Sequence, residues 1–241
     1  MDLLHVDSEN KRPSLQDALI KGAPSILFEI KKASPSMGEL SQANALDMCN
    51  GYVSQGAKAI SVLVDRANFN GHPKDLKDCC DAHPHLPFLH KDFVATAYQV
   101  RLAKHLGASS VLLMCQLLEP AELRDLYQLA TSLGLEPFVE VHNSTELEFA
   151  LELNPPIIGI NSRDFKTTGM PVDLNTAPQL LKQLQEAWPK GTALVAQSGI
   201  FSANDIKTLC DSCPSGLPNA IQIGSSLSQA GEIPPWLRKM L

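Results

Sequence analysis

Ser25-Ile26-Leu27-Phe28-Glu29-Ile30-Lys31-Lys32-Ala33-Ser34-Pro35-Ser36 is an apolar, strand-like run that ends abruptly in alternating charge. A buried strand does not normally end this way. Side chains two apart share a face, so Glu29 and Lys31 project together while Ile30 packs on the other side. The pattern returns along the chain. Phe88-Leu89-His90-Lys91-Asp92-Phe93, Phe138-Val139-Glu140-Val141-His142, Ile158-Gly159-Ile160-Asn161-Ser162-Arg163 and Leu194-Val195-Ala196-Gln197-Ser198-Gly199 each place a polar group near the end of an apolar run. Several strands delivering polar residues from their carboxyl ends is the arrangement of a (βα)8-barrel active face.

Working outward, runs rich in Val, Ile and Leu alternate with stretches of helical periodicity, the signature of a parallel α/β sheet. Eight strands are expected, at about 25–32, 59–65, 87–91, 109–115, 136–141, 156–161, 193–197 and 220–224. Between them, 97–106 and 121–130 repeat apolar residues at three and four, as outer-ring helices require. Gly56, Gly107 and Gly134 follow such helices, where a left-handed stop is useful. A doubly wound open sheet shares this alternation, but eight units fit the length without remainder and no glycine-rich dinucleotide fingerprint follows the first strand. The fold expected is α/β, a single (βα)8 TIM barrel over residues 1–241, with 1–24 as a short N-terminal helical extension.

The net charge of −6, with no basic tract, opposes binding to a phosphodiester backbone. No apolar run approaches the roughly 20 residues that cross a bilayer, and the first residues lack the pattern of a secretory signal, so a cytoplasmic location is expected. The six cysteines read as reduced, small hydrophobes. Cys210-x-x-Cys213 has the spacing of half a zinc site, but no second pair accompanies it, so no metal is expected.

The strand ends carry the chemistry. Lys31 and Lys91 supply cations from strands one and three, Glu29 and Glu140 carboxylates from strands one and five; such a set can hold an acid and a base on opposite sides of a small substrate. The competing reading is an ion-pair network that fills the barrel mouth. Asn161 and Arg163, taken singly, suit a loop cap and a surface cation. Ser198-Gly199-Ile200 and Ile223-Gly224-Ser225-Ser226 end strands seven and eight, where backbone approach and serine hydroxyls make the usual barrel phosphate site. His142 is expected to turn away from Glu140 in a packing or supporting role, and His90 likewise packs beside Lys91.

Together these residues resemble the indole-3-glycerol phosphate synthase family. Glu29-Ile30-Lys31-Lys32-Ala33-Ser34-Pro35-Ser36, Phe69-Asn70-Gly71, Lys91-Asp92-Phe93, Val139-Glu140-Val141-His142, Gly159-Ile160-Asn161-Ser162-Arg163-Asp164 and Ile223-Gly224-Ser225-Ser226-Leu227 follow the family's motifs in order. The resemblance implies closure of 1-(2-carboxyphenylamino)-1-deoxyribulose 5-phosphate to indole-3-glycerol phosphate with loss of carbon dioxide and water, without a cofactor, as a carboxy-lyase of tryptophan biosynthesis. It implies Lys91, Lys31, Glu140 and Glu29 as catalytic residues, Ser34, Asn161, Arg163, Gln197 and Ser198 as substrate-binding, and Gly199, Gly224 and Ser225 as phosphate-binding. It further implies a small-molecule partner, no nucleic acid or membrane, and association with other enzymes of the pathway.

The chain departs from the family in four places. Gln197 stands where glutamate is usual, keeping size and hydrogen bonds but no charge. Met37 replaces a basic residue and His72 a small one. The segment before the first strand is short, though Ser14-Leu15-Gln16-Asp17-Ala18-Leu19 resembles the helix that covers the barrel mouth. Three readings therefore stand side by side: a synthase, a divergent relative acting on a related aryl-amino sugar phosphate, and a non-catalytic ligand-binding barrel.

Overall fold

In the computed structural model, which describes residues 12–21, 24–183, 188–213, 218–230 and 233–238, β1 (Ser25–Ile30) pairs in parallel with both β2 (Ile60–Leu63) and β8 (Ala220–Ile223). That double pairing closes the sheet. Between them run β3 (Phe88–Lys91), β4 (Ser110–Met114), β5 (Glu136–Val141), β6 (Ile157–Asn161) and β7 (Ala193–Gln197), each parallel to its neighbours. The open-sheet alternative is thereby removed, because closure leaves no free edge. β1 stops at Ile30 and β8 at Ile223, so Lys31 and Gly224 lie just past their strands.

Each strand is buried on both faces, which explains runs that are apolar almost throughout. Outward residues such as Phe28, Ile30, Ile60, Val62 and Val139 pack under the helices, with Leu76, Val100 and Leu123 among those that meet them. Inward residues, including Leu27, Leu89, Leu112, Phe138, Ile157 and Val195, form a separate cluster inside the barrel. The polar groups follow the inward alternation: Leu27 leads to Glu29, Leu89 to Lys91, Phe138 to Glu140, Val195 to Gln197. Helices between strands begin at side-chain caps, as Thr96 does for Ala97–Leu106 and Asn143 for Ser144–Leu153. Gly56, Gly107 and Gly134 adopt left-handed φ of 95°, 90° and 68° after their helices.

The N-terminal helix, Leu15–Ile20, lies at the opposite end from the one expected. Glu136, the first residue of β5, accepts from the backbone N–H groups of Leu15 (2.7 Å) and Gln16 (3.0 Å) and from the Ser14 hydroxyl. Leu15 and Leu19, both fully buried, join the inward cluster beside Ala59, Ala193 and Ala220 at the strand starts. The helix therefore plugs the bottom of the barrel. The free N–H groups of its first turn are met there by the Glu136 carboxylate, whereas Glu29 and Glu140 at the other end are paired with lysines. Cys210 lies in the last turn of the Ala203–Ser212 helix and Cys213 follows it; both thiols are unbridged, and burial pushes both above the ordinary thiol range.

Candidate active site

At the carboxyl end the strands surround a cavity of about 940 Å³, measured out to its open mouth. Glu29, Lys31, Ser34, Lys91, Glu140, Asn161, Arg163, Gln197, Ser198, Gly199, Gly224 and Ser225 all line it. Residues as distant in the chain as Glu29 and Ser225 are brought together because each sits at or just beyond the end of a strand.

The two lysines and two glutamates are matched one to one. Lys31 Nζ lies 3.1 Å from Glu29 Oε2, and Lys91 Nζ lies 3.4 Å from Glu140 Oε2. Asn161 donates to the other oxygen of Glu140 at 3.0 Å, and its own Oδ1 accepts the backbone N–H of Arg163 at 2.9 Å. The Arg163 guanidinium donates to the Met170 carbonyl at 3.0 Å, bracing the loop after β6. Burial pushes the Glu29 carboxyl up, but Lys31, Lys91 and the hydrogen bonds from Lys31 and Gln222 outweigh it and hold the group below its ordinary value. Ser34 is buried, and its hydroxyl has no partner among the described residues.

Two turns close the side of β7 and β8. Ser198 and Gly199 both adopt left-handed φ, 68° and 81°. For the serine this costs about 1 kcal/mol. A side chain on Gly199 would meet Leu174 and Val172 at 2.7 and 2.8 Å, so the glycine lets the loop after β6 pack on this turn. The same cavity has an apolar wall that the sequence reading did not single out. Phe93 sits 6.0 Å from Phe69 and 6.1 Å from Phe165, ring centre to ring centre, with Leu63, Leu112 and Met114 lining the same cavity. Phe69 and Phe93 were visible within motifs, yet three phenylalanines from different connections, Phe69 at the end of the short Arg66–Phe69 helix, meet only after closure.

His142 does turn away from Glu140, but not through strand alternation, which would put residues two apart on one face. β5 ends at Val141, and beyond it His142 Nδ1 lies 2.8 Å from the Asn161 carbonyl, tying β5 to β6. His90 is wholly buried on the outward face of β3, and neither ring nitrogen has a partner among the described residues. Gly159 is also structural: a side chain there would lie 2.2 Å from Gln197 Oε1 and 2.3 Å from the Phe138 ring.

A family model described as indole-3-glycerol phosphate synthase matches residues 3–240. The chain belongs to this family. Among curated synthases it is 38% identical to that of Lachnospira eligens, over 95% of this chain and 84% of the relative. It is 41% identical to that of Carboxydothermus hydrogenoformans, over 90% and 80% of the two chains. The synthase of Legionella pneumophila is 36% identical over 99% of this chain and 90% of its own. In fold alone the chain is similar to the N-acetylmannosamine-6-phosphate 2-epimerase of Clostridium perfringens, with a TM-score of 0.64, 12% identity and 96% and 98% coverage. The thiamine phosphate pyrophosphorylase of Pyrococcus furiosus gives 0.63, 14%, and 94% of both chains.

Proposed function

We propose that this member of the indole-3-glycerol phosphate synthase family closes 1-(2-carboxyphenylamino)-1-deoxyribulose 5-phosphate to indole-3-glycerol phosphate. The observation that carries this reading is that one cavity is lined by the aromatic cluster of Phe69, Phe93 and Phe165, by the turns of Ser198-Gly199 and Gly224-Ser225, and by two lysine–carboxylate pairs. An aryl ring and a phosphate at opposite ends of one substrate fit that lining, and the ketone then falls among the charges.

The ring carbon that bears the carboxyl group attacks the ketone carbon as Lys91 gives a proton to the ketone oxygen. Carbon dioxide then leaves, restoring the aromatic ring, and loss of the new hydroxyl as water completes the pyrrole. Lys31, held by Glu29, is placed to assist that departure. Glu140 faces the positive charge that develops during closure, and Asn161 orients it while reaching substrate hydroxyls. Ser34 and Arg163 add contacts to the substrate, and the two turns grip its phosphate.

In the same reading the enzyme works in the cytoplasm on a small molecule, in association with other enzymes of tryptophan biosynthesis. A second reading, a relative specialised for another aryl-amino sugar phosphate, rests on the neutral Gln197. Incubating purified protein with the carboxyphenylamino-deoxyribulose phosphate and following indole absorbance and fluorescence tests the proposal. Appearance of the chromophore supports it; its absence at high enzyme concentration rejects it.

A further inference from the structure

Gln222 lies outside every strand-end motif, yet it ties Gln197 to the Glu29–Lys31 pair. It is the inward residue of β8 between Ala220 and Gly224 and is 6% exposed. Its carboxamide Oε1 accepts from Gln197 Nε2 at 2.9 Å, and its Nε2 donates to Glu29 Oε1 at 2.9 Å. Glu29 Oε2 then meets Lys31 Nζ at 3.1 Å. A chain of hydrogen bonds thus runs from β7 through β8 to β1 along the cavity wall.

The direction of this chain is dictated by chemistry. An ionised carboxylate can only accept, so Gln222 must present its NH2 group to Glu29. Its carbonyl oxygen is thereby turned to position 197, which must supply a donor. Glutamine can; glutamate cannot. A carboxylate at 197 would compete for the same NH2 group, and satisfying it would rotate the Gln222 carbonyl toward Glu29, oxygen against oxygen.

We propose that Gln222 is a positioning residue for the Glu29–Lys31 pair, and that Gln197 and Gln222 are a matched set in which the neutral amide at 197 fixes the direction of the Gln222 bond. The replacement of the usual family glutamate by Gln197 is then coupled to β8, independently of any change in substrate. Gln197 Oε1, left over by this arrangement, is buried without a partner among the described residues and points toward Gly159, where no side chain competes for the space. That unmet acceptor is what the matched direction costs.

The effect on turnover rests on the synthase reading above; the effect on Glu29 does not, so the two are measured separately. Besides Gln222, the groups acting on Glu29 are Lys31 at the end of β1, Lys91 on β3, Arg163 after β6 and Tyr52 on the Ala45–Ser54 helix. The carboxyl 13C resonance of Glu29, assigned by its loss in Glu29→Gln, gives the pH at which it titrates. Gln222→Met keeps the volume and removes the donor, so the midpoint is expected to rise by about one pH unit while Lys31, Lys91, Arg163 and Tyr52 are unchanged. Gln222→Leu replaces it if methionine prevents folding. In kinetics, Gln222→Met is expected to lower kcat about 10-fold with KM within about twofold, as for a group that acts through another. Gln197→Glu alone is expected to lower kcat, but to raise it when added to Gln222→Met, because no amide remains to be turned.

An unshifted Glu29 titration in Gln222→Met would overturn the positioning role. Equal effects of Gln197→Glu in both backgrounds would overturn the matched set. If the unmodified protein makes no indole product, the synthase reading falls, and the Glu29 titration still decides the positioning role of Gln222.

Discussion

The Glu29 carboxylate fills the space that a side chain at position 224 would need: a Cβ on Gly224 would stand 2.2 Å from Glu29 Oε2 and 2.8 Å from its Cδ. The glycine after β8 therefore makes room for a carboxylate of β1, besides any approach to an anion. Gly224→Ala is expected to push Glu29 off Lys31 and lower kcat/KM about 10- to 100-fold, the scale of an ångström-sized misplacement. Steady-state kinetics check this, and near-normal turnover would show that the strand end has slack.

Lys91 is the inward cation of β3, paired to Glu140 at 3.4 Å. Lys91→Met is expected to reduce kcat by about 10²-fold or more with the circular dichroism spectrum unchanged. Glu140→Gln is expected to behave similarly, since the neutral amide no longer opposes developing positive charge. A change confined to KM would make either residue a binding group.

Phosphate is expected at the turns of Ser198-Gly199 and Gly224-Ser225. Inorganic phosphate at 100 times its Kd then stabilises the fold by about 2.7 kcal/mol. Thermal melts with and without phosphate measure the effect, and Gly199→Val, which collides with Leu174 and Val172, is expected to abolish it. Equal protection of the variant would place the anion elsewhere.

Burial pushes the His90 imidazole down to about 4 from its ordinary 6.5. Between those values the unfolded chain binds a proton that the folded chain refuses, so stability falls as pH drops through that window and levels off below it. The full loss is about 3 kcal/mol. Glu29 contributes separately: its depressed value makes its stabilisation present above 4.5 and lost as pH falls through the lower folded value. Urea midpoints from pH 7 to 4 are expected to slope for the natural protein and flatten in His90→Leu. Parallel curves would mean that the folded protein protonates His90 without difficulty.

Glu136 holds the amino end of the Leu15–Ile20 helix at the barrel bottom, far from the charged site. Glu136→Ala is expected to cost about 1–3 kcal/mol in urea unfolding, the worth of charge-assisted bonds to a helix start, with kcat unchanged. A fall in kcat without loss of stability would contradict a purely structural latch.

The eight strands were legible because each is a short apolar run, and in most of them the inward alternation ends in a polar residue, a pattern contained within a few positions. The site was legible where chemistry sits on that alternation, as at Glu29, Lys31, Lys91 and Glu140. Gln222 was not, since a single glutamine in Ala220-Ile221-Gln222-Ile223 looks like an interruption until its partners are known. The Phe69–Phe93–Phe165 wall was hidden for a related reason: single aromatic residues on separate connections carry no period.

The chain order of its residues thus determined the strand count, the inward faces and the identity of the groups at the barrel mouth, because these depend on a two-residue alternation that acts locally. Tertiary structure alone decided that Gln222 meets Glu29 across 193 positions and that Ser14 meets Glu136 across 122. Such contacts depend on the register of parallel strands and on closure of β1 against β8. A helix start offers the same N–H groups to either end of a barrel, and only the assembled molecule shows which end holds the carboxylate that receives them.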